Sequence, residues 1–241
     1  MKPPSDDRDW LIRAMGDRCV IVEFGSCIDP EINRKVHAFA AHLQTHPIKG
    51  VLDIVPSFTT VALHYRPEVL ASATQTPLQA LTHILEKILL NGVESDRQTT
   101  RTIDIPVCYG GEFGPDLSEV AKVCGMTQEE TIQLHCTSES VVFMIGFAPG
   151  HPYAGGLDPR LSVPRRATPR TKVAKGTVAI ANGQTVIYPL QLPSGWNLIG
   201  RTPLQLFDPE SETPSLLAPG DCLRFISITP EQFHAMQEQR A

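Results

Sequence analysis

At 241 residues the chain is too long for one small domain and short for three, so two domains, or one with an appendage, are expected. Twenty-one basic against 26 acidic residues give a net charge of −5, which argues against a general nucleic-acid binder. A hydrophobic content of 41% is enough for a core, and no apolar run is long enough to cross a bilayer.

In chain order, Gly16-Asp17 between the runs Trp10–Met15 and Arg18–Phe24 predicts a hairpin. Asp29 as N-cap and Pro30 behind it open a helix. Its Ile32, Val36, Phe39, Ala40 and Leu43 form one apolar stripe. Val51–Val55 and Thr60–Tyr65 read as strands on either side of Pro56-Ser57. Thr76-Pro77 starts a second helix carrying Leu78, Leu81, Ile84, Leu85, Ile88 and Leu89, stopped by Asn91-Gly92. Residues 1–93 therefore read as a small α+β domain, an antiparallel sheet with two helices, and without a catalytic constellation. Residues 94–100 are polar, lack apolar periodicity and read as a linker.

Residues 101–241 have a different texture. Thr102–Val107 predicts a strand, Asp116–Cys124 a short helix closed by Gly125, and Thr127 with Glu130 a capping box opening another helix through His135. Strands dominate from Ser140 onward. The clearest hairpin is Thr177–Ala181 with Gln184–Leu190 around Asn182-Gly183. Leu204–Phe207 and Cys222–Ile228 complete the set, which predicts a closed or nearly closed β-barrel rimmed by small helices.

The phosphate loop, the dinucleotide glycine pattern, the nucleophile elbow and the HExxH zinc motif are all missing. Met1 to Trp10 is polar and carries no signal-peptide core, so a cytoplasmic chain is expected. The six cysteines form no CxxC pair and are expected to stay reduced. His42 and His46 have a chelating spacing but no third ligand, so a solvated helix face is the better account and no metal site is expected.

What remains is a dense block from Gly146 to Arg201. Gly146-Phe147-Ala148-Pro149-Gly150-His151-Pro152-Tyr153 cannot run as regular structure. It reads either as a long connection or as backbone made to approach a ligand closely. Arg160 to Lys175 is strongly basic, with Pro164 and Pro169 stiffening it. It suits a carboxylate, a phosphate or an acidic partner, or else a solvated basic rim. Alternation puts Gln184 and Tyr188 on one strand face and Thr185 on the other. If the first face lines the barrel mouth, an amide, a phenol and nearby guanidinium groups converge there on a small amide or carboxylate.

These motifs resemble one family. They are Gly146-Phe147-x-Pro149-Gly150-x-Pro152-Tyr153, Pro164-Arg165-Arg166-Ala167-x-Pro169-Arg170, Gln184-Thr185-x-x-Tyr188-Pro189, Gly195-Trp196-x-Leu198-Ile199-Gly200-Arg201-Thr202 and Leu206-Phe207-Asp208-Pro209. The family is that of the 5-oxoprolinase B-type subunit, also called the KipI family or allophanate hydrolase subunit 1. With Val55-Pro56 and Ile105-Pro106-Val107-x-Tyr109-Gly110-Gly111, the likeness spans nearly the whole chain. It implies a cyclophilin-like barrel at the C-terminal side, a partner of the C type with a related barrel, and a third component of the A type. The implied activity is opening of 5-oxoproline to glutamate by the complex, with ATP and Mg²⁺, without biotin on this chain and without turnover by this chain alone. Catalytic roles would fall to Gln184, Tyr188 and Arg170. Substrate contacts would come from Gly146, Phe147, Pro149, Gly150, His151, Tyr153, Arg166, Thr185, Trp196 and Arg201. One branch of the family resembles an inhibitor of a sensor histidine kinase, and related halves occur in urea carboxylase; both are the alternative readings. The chain departs from the family pattern at His151, Ala154, Ala181-Asn182 and Val186, positions that bear on pocket shape.

Overall fold

The computed structural model describes residues 9–72, 74–93 and 101–239, which divide into two compact units, 1–98 and 99–241. The expected linker, 94–100, lies outside the described residues.

In the first unit, strands β1 (Leu11–Ala14), β2 (Cys19–Glu23), β3 (Val51–Pro56) and β4 (Thr60–Tyr65) form an antiparallel sheet in the order β1-β2-β4-β3. Helix α1 (Pro30–Thr45) starts as expected, with Asp29 accepting from the amides of Glu31 at 2.8 Å and Ile32 at 3.2 Å. A single turn, α2 (Pro67–Leu70), precedes α3 (Pro77–Leu90), which opens on a reciprocal Thr76–Gln79 capping box. Val36, Phe39 and Leu43 of α1 and Leu81 and Leu85 of α3 pack on Val20, Val22, Val61 and Leu63 of the sheet.

The second unit holds β5 (Thr102–Tyr109), α4 (Leu117–Cys124), α5 (Gln128–Thr137), β6 (Ser140–Ile145), β7 (Pro152–Gly155), β8 (Arg170–Val173), β9 (Thr177–Ala181), β10 (Gln184–Ile187), β11 (Leu192–Ser194), β12 (Asn197–Arg201), β13 (Cys222–Ser227) and α6 (Pro230–Glu238). Seven strands close a barrel in the order β10-β7-β6-β13-β5-β12-β9. All its pairings are antiparallel except β5 with β13, where Arg224 stands opposite Asp104. Every strand sends side chains to one core, among them Ile105, Val142, Ala154, Ile180, Ile187, Ile199 and Phe225, so the lumen is filled. Strands β8 and β11 pair apart from the barrel. Their Val173 and Leu192 join Ala179, Ala181, Val186, Tyr188 and Leu198 in a separate apolar cluster, which makes this ribbon a cover for the outside of the wall.

Two expectations need correction. Leu204–Phe207 is not a strand; only a single bridge, Phe207 to Ser215, forms there. This stretch instead sends Leu204 and Leu206 into the barrel core. The helix expected over Asp116–Cys124 starts at Leu117, with Asp116 just ahead of it and its carboxylate engaged elsewhere. Among the described residues, no helix is long and apolar enough to cross a membrane.

Candidate functional site

The outer wall between β7 and β10 carries the densest group of aromatic and polar side chains from the Gly146–Arg201 block. Register sets it up: Val186 stands opposite Tyr153, which brings His151 level with Tyr188 one row further along. The rings of His151 and Tyr188 lie 4.9 Å apart and nearly perpendicular, and those of His151 and Tyr153 are 5.0 Å apart. Phe147 closes the group edge-on to His151 at 5.4 Å. Its backbone sits at φ 71°, unusual for a residue with a side chain, and the residue is 61% exposed. The loop folds on itself, the Gly146 amide donating to His151 O and the His151 amide to Ala148 O. Gly150, at φ 72°, passes so close to Phe207 that a Cβ would lie 2.7 Å from that residue's own Cβ.

The hydroxyl of Tyr188 donates to Ser194 Oγ at 2.7 Å, and Ser194 Oγ also accepts from the Trp196 amide at 3.0 Å. Trp196 stands edge-on to Tyr153 at 6.0 Å, and the Arg165 guanidinium lies over its indole at 5.2 Å. Burial pushes the phenols of Tyr153 and Tyr188 up, while the charge of Arg165 pulls both back. His151 is 1% exposed, and burial pushes its imidazole down to about 4, so it is neutral near pH 7. Neither of its ring nitrogens has a hydrogen-bond partner among the described residues.

The other expected residues distribute as follows. Gln184 shares the outer face of β10 with Tyr188, but four residues along a strand separate the two by about 13 Å, so they do not converge. That face is the covered outside of the wall, not the barrel mouth. Thr185 points into the lumen, where His135 Nε2 lies 3.2 Å from its hydroxyl. The Tyr109 hydroxyl is 2.7 Å from His135 Nδ1, and Thr185 donates on to Ala179 O. One tautomer, with the proton on Nε2, satisfies the whole chain of bonds. Thr185 is thus occupied within the core and stands apart from the His151 group.

The anion expected at Arg166 and Arg170 belongs to the chain itself. Arg170 grips Asp116 with both terminal nitrogens at 2.9 and 2.7 Å, and Arg166 bridges Asp116 and Glu119 at 3.0 Å each. Asp116, 4% exposed, also accepts from the Leu198 amide at 2.8 Å. Two guanidiniums and an amide therefore neutralise one buried carboxylate. Arg201 faces elsewhere, donating through Nε to Lys175 O and lying over Phe233 of α6. The cation that does border the site is Arg165, quoted in the sequence motif but not singled out there. It has no carboxylate partner among the described residues. Elimination could have found it, since Asp116 is an acid placed at a helix start that its neighbours could claim.

No three His, Cys, Asp or Glu side chains come together among the described residues as a metal site. An open groove of about 320 Å³ lies in the first unit, lined by Leu43, Ile48, Val51, Ile54 and Leu63 together with the polar Gln44 and Asp53.

Comparison with known proteins identifies relatives over nearly the full length. The family model "Carboxyltransferase domain, subdomain C and D" matches residues 10–217. A protein from Bacillus subtilis, named as the B subunit of 5-oxoprolinase, is 40% identical over 95% of this chain and 98% of its own. Another of that name from Escherichia coli O157:H7 is 38% identical over 88% of this chain and 93% of its own. The crystal structure of TTHA0988 superposes with a TM-score of 0.75 at 37% identity, covering 88% of this chain and 40% of that longer one.

Proposed function

This chain belongs to the family of the carboxyltransferase domain, subdomain C and D, and we propose that it is the B-type subunit of an ATP-dependent 5-oxoprolinase. In this reading it works in the cytoplasm with a C-type and an A-type partner to open 5-oxo-L-proline to L-glutamate. Its closed barrel is read as cyclophilin-like and as the surface that meets the related barrel of the C-type partner. Relatives that carry the 5-oxoprolinase name at 38% and 40% identity support the assignment.

The observation that carries the reading is the character of the outer-wall site. It combines aromatic walls, a neutral imidazole, a phenol–hydroxyl pair and one guanidinium without a carboxylate partner among the described residues. Such a set binds and orients a small polar molecule and excludes water around it. It contains no nucleophile–base pair that would break an amide unaided. Of the residues assigned catalytic or substrate roles by the family likeness, Phe147, Gly150, His151, Tyr153, Tyr188 and Trp196 fall in this group. Gln184 lines the same wall one row away from Tyr153. The sequence lacks a phosphate loop, and among the described residues no three His, Cys, Asp or Glu side chains come together. In this reading ATP and Mg²⁺ belong to the full complex.

The test is reconstitution. Co-expression with the C-type and A-type partners is expected to give a stable hetero-oligomer by light scattering, with ATP-dependent release of glutamate from 5-oxo-L-proline. The purified single chain is expected to give none. Turnover by the single chain, or separate non-interacting peaks at micromolar concentration, would overturn the proposal.

A further inference from the structure

The carboxylate of Asp116 is fully occupied. Its Oδ1 accepts from Arg166 at 3.0 Å and Arg170 at 2.7 Å, its Oδ2 from Arg170 at 2.9 Å and the Leu198 amide at 2.8 Å. Two hydrogen bonds to each oxygen use all the lone pairs it has. With Glu119 on Arg166, the cluster holds two charges of each sign. Stability alone does not call for such a cluster, because well-packed apolar side chains of similar volume often serve as well or better. What the ions add is direction, since a guanidinium fork fits a carboxylate in one plane and one alignment.

That direction is imposed on one stretch of chain, Ser194 to Leu198. Arg170 stands opposite Ser194 in the β8–β11 pairing, and the Arg166 amide donates to Gly195 O at 2.8 Å. Asp116 bonds both backbone groups of Leu198. Trp196, 5% exposed, lies between these fixed points. Ser194 is the residue whose hydroxyl takes both the Tyr188 hydroxyl and the Trp196 amide. Asn197, in the same stretch, donates to Pro164 O at 2.9 Å. Arg165 therefore has both chain neighbours tethered, Pro164 through Asn197 and Arg166 through Asp116, and its guanidinium lies over the indole they surround.

Resting on the reading of the outer-wall site given above, we propose that Asp116 is its positioning residue. Acting through Arg166, Arg170 and Leu198, its carboxylate sets the placement of the Trp196 indole, of the Ser194 hydroxyl that orients the Tyr188 phenol, and of Arg165. Removing its charge leaves two guanidiniums without their shared partner, frees the basic loop and loosens Trp196.

The experiment uses Trp196 as the reporter, in a Trp10→Phe background, since the chain has two tryptophans. Asp116→Asn keeps the shape of the side chain and removes its charge. The control is Asp221→Asn, which takes the charge from another buried carboxylate, the one held by Arg101. Acrylamide quenching of Trp196 is measured on the single chain well below its melting temperature, which is recorded as well. Asp116→Asn is expected to raise the quenching constant severalfold, and the control to melt lower with quenching unchanged. Should Asp116→Asn not fold, Arg170→Lys carries the same test with a smaller rise expected. In the reconstituted complex, Asp116→Asn is expected to raise KM for 5-oxo-L-proline about tenfold while kcat stays within about twofold. Unchanged quenching in a folded variant, or an equal rise in the control, would overturn the inference. So would raised quenching with an unmoved KM in an active complex, because the site would then not depend on the geometry that Asp116 sets. If no complex acts on 5-oxo-L-proline, the functional reading fails, and the quenching result by itself decides whether Asp116 positions Trp196.

Discussion

At the scale of single residues, the two buried histidines govern the acid side of the stability profile. Burial holds His135 at about 3 and His151 at about 4, against an ordinary value of 6.5. Both are depressed bases, so the unfolded chain binds the extra protons. Their contribution is complete above about pH 6.5 and is lost as pH falls towards 4 for His151 and 3 for His135. Each group adds a slope of up to about 1.4 kcal/mol per pH unit in that window. Urea midpoints measured from pH 7 to 4 should therefore fall steeply, and more gently in His151→Phe. The paired arginines make a second prediction. A lysine at 170 cannot span both oxygens of Asp116, so Arg170→Lys is expected to lower stability by roughly 1.5–3 kcal/mol, read as a lower melting temperature. The basic loop was legible in the sequence as an anion holder, but not that its anion would be Asp116. Charge composition shows that cations are dense, and only the fold brings residue 116 beside 166 and 170. The surplus cation, Arg165, becomes visible by subtraction once the pairs are drawn.

At the scale of elements, what could be read in advance was what local chemistry decides. Asp29-Pro30, Thr76-Pro77 and the Thr127–Glu130 box each start a helix where the side-chain rules place it. Asn182 at φ 51° and Gly183 at φ 72° form the turn between β9 and β10. The covering ribbon β8–β11 was not legible, because its short strands lie in proline- and arginine-rich sequence with no alternation. Its partnership depends on Val173 and Leu192 finding an apolar wall that other strands build. Helix α6 went unread although Thr229–Gln232 forms a capping box, since only Phe233 of its residues is buried. The junction between α4 and β12 depends on one glycine. A Cβ on Gly114 would fall 2.0 Å from Ile199 O, a backbone atom with no rotamer to escape into. The same junction carries the Asp116 amide to Leu198 O and the Leu198 amide to the Asp116 carboxylate. Gly114→Ala is expected to cost about 1–3 kcal/mol by overpacking, and to loosen the Arg166 and Arg170 pairs with it. A denaturant midpoint unchanged from wild type would refute this.

At the scale of the whole molecule, each unit carries its own core, and no strand of one pairs with a strand of the other among the described residues. A chain ending at residue 98 is accordingly expected to fold alone, with a cooperative melt and native-like amide exchange in the sheet. The barrel imposes a different order of events. Its closing seam pairs β5 with β13, and the Asp104–Arg224 bridge across it joins residues 120 apart in sequence. During synthesis on the ribosome, the first unit can be complete while the second still waits for almost its last strand. Until residue 227 has left the exit tunnel, β5 and β6 present open edges with Ile105, Val107 and Val142 unburied, a state that invites pairing with other chains. Premature termination anywhere between 140 and 221 should yield insoluble product that chaperones retain, whereas termination near 98 should not. The cell's tolerance of nonsense mutations in this gene would then step abruptly with position, following the seam of the barrel and not the length of chain lost.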